Sequence, residues 1–516
     1  MTRRPFAAAT SLAALGLLLT ATEVPARALS YAPVLAHCYD AVLDARFDAA
    51  EADLAQACGP APPETCELIR TTELWWRIQL DPYSRALDSQ FRQRIDADID
   101  RIDRWTTRDP RRADAWFFLG AAYGLRVQFR VLRGERLPAA LDGKRIKDAL
   151  ERALAIDPAL QDAYFGIGLY HYYAAIAPTA LRLLRWMLFL PGGDREQGLR
   201  EMLRARDHGE LLRGETDYQL HLVDLWYEHK PGEALELLDG LRTRYPHNPV
   251  FAAEAATVQA VYLHDHAASR DTWRSLLDLA IHGQVGAAQL IEVRARLGLA
   301  GELDALFETD LAVEEYRHVA DARPAAPYGA AAQGEVGLGR AYDRLGLRDQ
   351  ALAAYQAALA AAPPDDPQGV RALAREGLAH RPDARQAEAY HLSIEGWRAL
   401  QRHALAQAAD SLHRSAALNP GDPVTRFRLA SLLAATGHRT EALAAFEGLA
   451  ALRPAPPPTI LGASYLEAGR LLEAGANRVR AAEMYGRAAH VPGADADTKR
   501  AATQAAERLR SQDPAR

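Results

Sequence analysis

Residues 338–363 read LGRAYDRLGLRDQALAAYQAALAAAP, and residues 429–454 read LASLLAATGHRTEALAAFEGLAALRP. The two stretches place a leucine, a small residue, a large apolar residue, a glycine, further apolar residues and a final proline at identical offsets. A third copy lies between them, around Gly396, and ends at Pro420, which is 34 residues before Pro454. The chain therefore contains a repeat with a period near 34 residues.

The spacing within each copy predicts two helices joined by a tight turn. The leucine-glycine pair at 338–339 and the tyrosine three residues after it share one face of a first helix. Small and aromatic residues within 351–358 form the matching face of a second helix. Gly346 separates the two helices, and Pro363 ends the second. Because one hairpin cannot bury its apolar face alone, neighbouring hairpins must stack.

This period, and its alternation of small and large apolar positions, resembles the tetratricopeptide repeat (TPR) family. The resemblance implies an all-α fold, namely a right-handed α-solenoid of TPR-like helical hairpins, with two arrays and a degenerate middle. Repeat-like pattern covers most of residues 114–490, with a gap near the centre. Composition agrees, because alanine, leucine and arginine dominate and β-branched residues are sparse.

The first 28 residues have the organisation of a cleaved signal peptide. Arg3-Arg4 is a basic start, residues 7–22 are apolar, and cleavage is expected after Ala28. The apolar run is short for a membrane span, which disfavours an uncleaved anchor. We favour the general secretory route over the twin-arginine route, and expect an exported protein of the bacterial periplasm or cell envelope. No cysteine follows the run directly, which argues against a lipoprotein.

Export would permit a disulfide among the three cysteines. Cys58 and Cys66 flank a turn rich in proline and glycine, so their pairing would leave Cys38 over. The competing pairing is Cys38–Cys58, across the preceding hairpin. A metal site is disfavoured because no CxxC and no clustered histidines accompany these cysteines.

We predict five segments along the chain. They are a cleaved signal peptide (1–28), an N-terminal helical region (29–112), a TPR-like array (113–322), a C-terminal TPR array (328–490) and a capping helix (494–511). The first array contains two insertions, 126–143 and 174–191, each at the turn between its two helices. Insertions at equivalent points of a solenoid lie on the same edge, which is often the functional one.

The two insertions differ in chemistry. The first is basic, with Arg126, Arg130, Arg133, Arg136, Lys144, Arg145 and Lys147 in or just after it. It could meet an anionic partner, but a solvated face paired with Glu135, Asp142 and Asp148 is the favoured interpretation. The second is very apolar over 179–190 and would plug a groove, cover the solenoid edge or touch a membrane interface, with plug or cover favoured.

The TPR resemblance also implies that first helices line a concave groove. Aromatic and apolar residues just beyond the leucine-glycine face would then point inward and suit an extended or helical peptide. These predicted groove residues are Phe117, Phe165, Leu169, Tyr172, Tyr173, Trp226 and Tyr227. The alternative is that they pack against the insertions and meet no ligand.

Other classes of function receive little support. No nucleotide-binding, zinc-protease or serine-hydrolase motif is present, so we expect no enzyme, no cofactor and no metal site. An unrecognised active site near His171, Tyr172 and Asp194 is the least favoured hypothesis. His264-Asp265-His266 is better explained as a solvated turn, because i and i+2 face different ways on a helix. A net charge of −6 does not suggest a nucleic-acid partner.

Chaperone binding of the TPR type is also disfavoured. One TPR subclass grips chaperone C-termini with a clamp of lysine, asparagine and arginine, and the corresponding positions here do not carry that set. Those positions are Phe117 and Ala121, Val336 and Arg340, and Phe427 and Ser431. The favoured function is a non-enzymatic exported scaffold that binds protein or peptide partners through its concave surface. The alternative is a peripheral membrane or anionic-polymer binding protein, in which a membrane surface is not favoured.

Overall fold

A computed structural model describes residues 29–176, 192–453 and 455–511, and within those ranges the chain folds as α-helices without β-strands. The first seven helices are α1 (Ala32–Leu43), α2 (Phe47–Ala57), α3 (Pro63–Leu80), α4 (Asp88–Arg108), α5 (Ala113–Leu132), α6 (Arg136–Ile156) and α7 (Ala163–Ile176). The next seven are α8 (Arg195–His208), α9 (Arg213–Trp226), α10 (Pro231–Arg244), α11 (Pro249–Thr257), α12 (His266–Ile281), α13 (Ala288–Ala305) and α14 (Thr309–Ala322). A π-helical turn, Val258–Tyr262, continues α11.

The second half contains ten helices. They are α15 (Ala330–Arg344), α16 (Arg348–Ala361), α17 (Val370–Ala379), α18 (Ala384–Gln401), α19 (Leu405–Leu418), α20 (Pro423–Ala435), α21 (Arg439–Gly448), α22 (Pro458–Ala474), α23 (Arg478–Ala489) and α24 (Ala496–Ser511). Nearly all consecutive helices contact each other along the chain, and the predicted solenoid of helical hairpins is confirmed.

The leucine-glycine face makes the contact inside each hairpin. A Cβ atom at Gly120 would lie 2.6 Å from Leu150 Cδ2, and one at Gly469 would lie 2.6 Å from Tyr485 Cδ1. Gly339 meets the ring of Tyr355 in the same way. A small residue is required because the large side chain of the second helix fills the space directly above the backbone of the first.

The apolar cores of the two halves differ in extent. One large cluster of buried side chains includes residues from Leu29 to Ala312, and a smaller cluster around Tyr172 and Met202 lies between α7, α8 and α9. Beyond it, residues 313–509 form several smaller clusters, each shared by adjacent helices. The second half therefore has the nearest-neighbour packing of a solenoid, whereas the first half is closed on itself.

The N-terminal hairpin causes this closure. Tyr39 of α1 donates to Glu215 of α9 at 3.1 Å, and Asn248 Nδ2 donates to the carbonyl of Leu43 at 2.7 Å. His247 Nδ1 lies 2.8 Å from Asp44 Oδ2. Residues 29–112 therefore pack across the first array as well as extending it.

Two further contacts join distant parts of the chain. The amide of Tyr328, just before α15, donates to Asp81 Oδ2 at the end of α3 at 2.9 Å. The amide of Ala496, at the start of α24, donates to Asp265 Oδ2 at 2.7 Å. The last helix thus contacts the N-terminus of α12, which lies in the middle of the sequence.

The predicted signal peptide at 1–28 lies outside the described residues, as does most of the predicted second insertion at 174–191, namely residues 177–191. Residues 126–143, the predicted first insertion, form the last turns of α5, the short turn between the helices and the first turns of α6. Cys58 and Cys66 form a disulfide with Cα atoms 6.0 Å apart, and Cys38 is buried and unpaired. In the ranges that the structure covers, no helix combines the length and apolar character of a membrane span.

Candidate functional site

A large apolar cavity lies on the inner side of the first array. Its volume is about 1200 Å³, and its walls come from α3, α5, α6, α7 and α9. Helices α5, α7 and α9 are the first helices of three successive hairpins, so they present equivalent faces to one space. Helix α3 lies opposite them and contributes Leu68, Ile69 and Trp75.

The mouth of the cavity is unusually apolar for a protein surface. Six large side chains that line it are also solvent-exposed, among them Val131 at 63% and Trp226 at 52%. The others are Tyr83, Leu137, Tyr227 and Tyr262. Contiguous exposed apolar side chains mark sites where a protein or another apolar body binds.

Six of the seven predicted groove residues line this cavity. They are Phe117, Phe165, Leu169, Tyr173, Trp226 and Tyr227. Tyr172 does not line it, because its side chain is fully buried in the contact between α7 and α8 and its hydroxyl donates to Glu228. Burial and the bond to Glu228 raise the pKa of Tyr172 above its usual value.

One polar cluster lies within the apolar wall. Glu215 is only 4% exposed and accepts hydrogen bonds from Tyr39 Oη and Gln128 Nε2, both at 3.1 Å. Gln219 Nε2 donates to the same carboxyl group at 3.3 Å. Burial raises the pKa of Glu215, although the three donors oppose that rise.

A second carboxyl group borders the cavity near Tyr262. Glu254 accepts from Tyr218 Oη at 2.9 Å and lies 2.7 Å from His221 Nε2. Burial opposes its ionisation, but the histidine, the tyrosine and the positive charge of Arg294 hold the pKa of Glu254 below its usual value. Glu254 therefore has a cationic neighbour, Arg294, whereas Glu215 has only neutral donors among the described residues.

The basic residues of the first insertion are mostly paired. Asp142 is fully buried and contacts the guanidinium groups of Arg126, Arg130 and Arg145. Arg133 binds Asp88 through two hydrogen bonds of 2.7 and 2.8 Å. Four further pairs in this stretch are Arg126–Asp96, Arg130–Glu135, Lys144–Asp148 and Lys147–Glu151. Such pairing leaves little free positive charge for an anionic partner.

The other candidates from the sequence have structural roles. His171 Nδ1 lies 2.7 Å from Glu201, and Asp194 caps α8 by accepting from the amide of Gln197 at 2.8 Å. Asp265 caps α12, and His266 lies 2.7 Å from Glu302. No group of three or more histidine, cysteine or acidic side chains within the described ranges could hold a metal ion.

Sequence reasoning missed the polar cluster at Glu215. Its members Tyr39, Gln128 and Glu215 come from three helices and share no motif or spacing. The available signal was a glutamate one turn before a glutamine, Gln219, on a helix whose other inward residues are apolar. That signal is weak because many solvated helices contain the same pair.

Comparison with known proteins supports the repeat assignment. The family model described as "Tetratricopeptide repeat" matches residues 336–365, which span most of α15 and α16. No curated protein matches the chain.

Two solved structures are similar at low identity. A tetratricopeptide repeat protein from Parabacteroides merdae is 16% identical and covers 58% of this chain and 98% of its own, with a TM-score of 0.25. The APC/C hetero-tetramer Cut9-Hcn1 is 13% identical and covers 94% of this chain and 91% of its own, with a TM-score of 0.26. At these TM-scores neither structure bears on the superhelical shape or the partners of this chain.

The matched repeat contains the Gly339–Tyr355 contact, and the same small-on-large packing recurs at Gly120 and Gly469. TPR hairpins of this kind suggest a protein-interaction scaffold and are typically non-catalytic. The repeat match shows a tetratricopeptide repeat at residues 336–365, and the recurring hairpin packing supports further TPR-like hairpins in the rest of the described chain.

Proposed function

We propose that this protein is a non-enzymatic, exported scaffold that holds a protein partner in the bacterial cell envelope. The partner would insert an apolar segment into the cavity of the first array. The observation that carries the proposal is the exposed apolar mouth, where Val131, Trp226 and Tyr227 continue an apolar interior out to the surface. An apolar surface of this kind is favourable only when something covers it.

A protein segment fits the cavity better than a small molecule does. Small-molecule sites usually measure roughly 300–1,000 Å³, and this cavity measures about 1200 Å³ and is open at an apolar rim. Rigid aromatic side chains such as Trp226, Tyr173 and Tyr227 give large contact areas at low entropic cost, as they do in peptide grooves.

The export part of the proposal has two supports. The first is the organisation of residues 1–28, with a basic start, a short apolar run and an A-x-A site. The second is the Cys58–Cys66 disulfide, because structural disulfides persist in oxidising compartments. Mass spectrometry of the protein from the envelope fraction should find Leu29 as its first residue.

Photocrosslinking in the living cell tests the partner. A benzophenone amino acid would replace Val131 at the mouth, and in a matched strain it would replace Val479, which is even more exposed but lies on α23 in the second array. We expect a defined crosslinked protein from position 131 only. Its yield should fall at least about tenfold when Trp226→Ala and Tyr227→Ala are added, since truncated aromatic anchors often cost 2 kcal/mol or more.

The control for that double variant is Leu347→Ala/Leu373→Ala, two exposed apolar residues of the second array. It should leave the crosslink at position 131 intact. The cavity would not be the docking site if a partner crosslinked equally from positions 131 and 479. The same conclusion would follow if the crosslink yield from position 131 did not fall in the Trp226→Ala/Tyr227→Ala variant.

We do not propose an anionic membrane or polymer as the partner. The basic residues that would bind it are mostly engaged by Asp142, Asp88, Asp148 and Glu151. The apolar stretch 179–190, the other basis for that alternative, lies outside the described residues.

A further inference from the structure

We infer that the segment bound by the cavity belongs to a protein partner and contains one lysine or arginine among apolar residues, and that this cation pairs with Glu215. The inference rests on the proposed function and specifies the chemistry of the partner. It follows from the charges that line the cavity and from the position of Glu215 relative to the mouth.

Glu215 has the surroundings of a carboxylate that lacks a counter-ion. It lies in the cavity wall, is 4% exposed, and receives hydrogen bonds from the neutral groups of Tyr39, Gln128 and Gln219. Neutral donors and the partial positive charge at the N-terminus of α9 orient the carboxylate but supply no full counter-charge, which is costly in an apolar environment. A cation brought by a ligand would remove that cost and form a charge-assisted hydrogen bond.

The other charged groups that line the cavity are already compensated or lie at its edge. Asp162 accepts the backbone amides of Glu210, Leu211 and Leu212 at 2.8–2.9 Å, so it caps the start of α9. Glu254 has Arg294 as a positive neighbour and a hydrogen-bond contact with His221. The one lining cation among the described residues is Arg136, which is solvent-exposed at the α5–α6 end. The lining thus has more negative than positive groups, and Glu215 is the uncompensated one.

The geometry fixes where the cation of the partner would lie. Glu215 and Trp226 are eleven residues apart on α9, which corresponds to about 16 Å along the helix at 1.5 Å per residue. A helical segment that enters past Trp226 and follows α9 would reach Glu215 after roughly three turns. The aliphatic stem of a lysine or arginine can cross the apolar wall while its charged end meets the carboxyl group.

The test compares three peptides on the purified mature protein. Each is a labelled, helix-forming peptide of leucine, alanine and glutamine, with lysine, acetyl-lysine or glutamate at its centre. We expect the wild-type protein to bind the lysine peptide about tenfold more tightly than the acetyl-lysine peptide, and the glutamate peptide most weakly. Because the change is made in the peptide, this comparison does not depend on a variant folding.

A substitution then locates the preference. Glu215→Gln keeps the shape of the side chain, replaces one acceptor oxygen with an NH2 group that can donate to the Tyr39 hydroxyl, and removes the charge, so the two affinities should agree to within about twofold. The matched control is Glu233→Gln on α10, whose side chain is 57% exposed and pairs with Lys230 away from the cavity. This control should keep the tenfold preference.

The outcomes separate this inference from the proposed function. Equal binding of the lysine and acetyl-lysine peptides, lost in Trp226→Ala, would overturn the cation inference and leave the apolar docking site in place. Failure of all three peptides to bind would overturn both. Self-association of the protein that disappears in Trp226→Ala would make the occupant a second copy of the chain, and the inference would again be wrong.

Discussion

At the scale of a residue, Asp142 neutralises much of the positive charge of the first insertion. Its carboxyl group is fully buried and meets three arginines, Arg126, Arg130 and Arg145. Removing one partner of a buried charge network leaves the others uncompensated and costs about 3–5 kcal/mol. We therefore expect Asp142→Ala to lower the free energy of unfolding by that amount in urea titrations.

The control for Asp142 is Asp148→Ala, which breaks an exposed i,i+4 pair with Lys144. An exposed pair of this type contributes about 0.3–0.5 kcal/mol. Similar losses in the two variants would show that the cluster around Asp142 is solvated. Freed arginines should also increase binding of the Asp142 variant to anionic vesicles, an increase that falls with added salt.

Asp224 on α9 makes the stability of the protein depend on pH. Burial, and then the nearby Glu233, raise the pKa of Asp224 to about 6, whereas an unfolded chain has a value of about 3.9. The folded state therefore binds more protons between these two values, and stability falls as the pH rises from about 4 to about 6. Above that window the ionised carboxylate destabilises the folded protein.

Asp224→Asn should remove this penalty. We expect unfolding free energies about 1–2 kcal/mol above wild type near pH 7.5 and equal to wild type near pH 4, the size following from roughly two pKa units discounted for partial burial. The control Asp239→Asn alters an exposed aspartate of α10 and should show no such pH dependence. A constant offset between the Asp224 variant and wild type at all pH values would contradict the titration of this residue.

Residue positions also show the limit of sequence reasoning. Tyr172 and Tyr173 are adjacent and were both predicted to face the groove, yet only Tyr173 lines the cavity. Tyr172 is four residues after Gly168, so it shares the face that packs on α8, while the next residue is turned by about 100°. The repeat pattern predicts which residues pack on the second helix of the hairpin. Which of the other residues face the groove depends on how the hairpins are stacked.

At the scale of the helical element, the backbones of α7 and α8 approach each other closely at Gly198. A Cβ atom at Gly198 would lie 2.6 Å from the carbonyl oxygen of Gly168 and 2.6 Å from the amide of Tyr172. Both neighbours are backbone atoms. Unlike the end of a flexible side chain, they cannot rotate away from a new Cβ atom. Gly198→Ala should therefore separate the helices and destabilise the protein by about 1–3 kcal/mol in thermal or urea unfolding.

Gly240→Ala is the matched control for that change. Gly240 lies inside α10, and a Cβ atom there would meet nothing within 4 Å. Alanine is preferred over glycine in a helix, so this variant should gain about 0.5–1 kcal/mol. If the two alanines had the same effect, the close α7–α8 contact would have no energetic importance.

The elements were more predictable than the residues. The glycines, alanines and prolines of 338–363 and 429–454 determine hairpin packing locally, and the structure agrees with those patterns at Gly339 and Tyr355. The extra length at 126–143 was harder to assign, because helical residues such as Val131 and Leu137 look like an insertion when compared with a shorter repeat. Helices can absorb additional residues without changing the contacts that define the repeat.

The whole molecule was the least predictable level. Closure of the first half depends on contacts such as Tyr39–Glu215 and Asn248–Leu43, between residues more than 170 positions apart. Single polar pairs of this kind leave no periodic signal in a sequence. They also decide the function that we propose, because α1 and α3 close the side of the cavity that faces α5, α7 and α9.

The extent of the apolar cores in the two halves predicts how stability is distributed over the molecule. Most helices of the first half share one large core, whereas the C-terminal helices pack mainly on their neighbours. Opening the end of a solenoid exposes few contacts, so amides of α20–α23 should exchange with solvent deuterium faster than those of α3, α5 and α9. Amides of α24 should exchange more slowly than expected for the last helix of a chain. The reason is that the first amide of α24 donates a hydrogen bond to Asp265, the residue before α12.

Asp265→Ala tests this tether by hydrogen exchange followed with mass spectrometry. The variant loses the cap of α12, where Asp265 accepts from the amide of Ala268, and also the bond to Ala496.

Asp422→Ala is the control, since it removes an equivalent cap from α20, at the amide of Thr425. Each change should speed exchange in the first turn of its own helix. Peptides from 496–511 should exchange faster only in the Asp265 variant, and unchanged protection there would mean that α24 is held by its contacts with α22 and α23 alone.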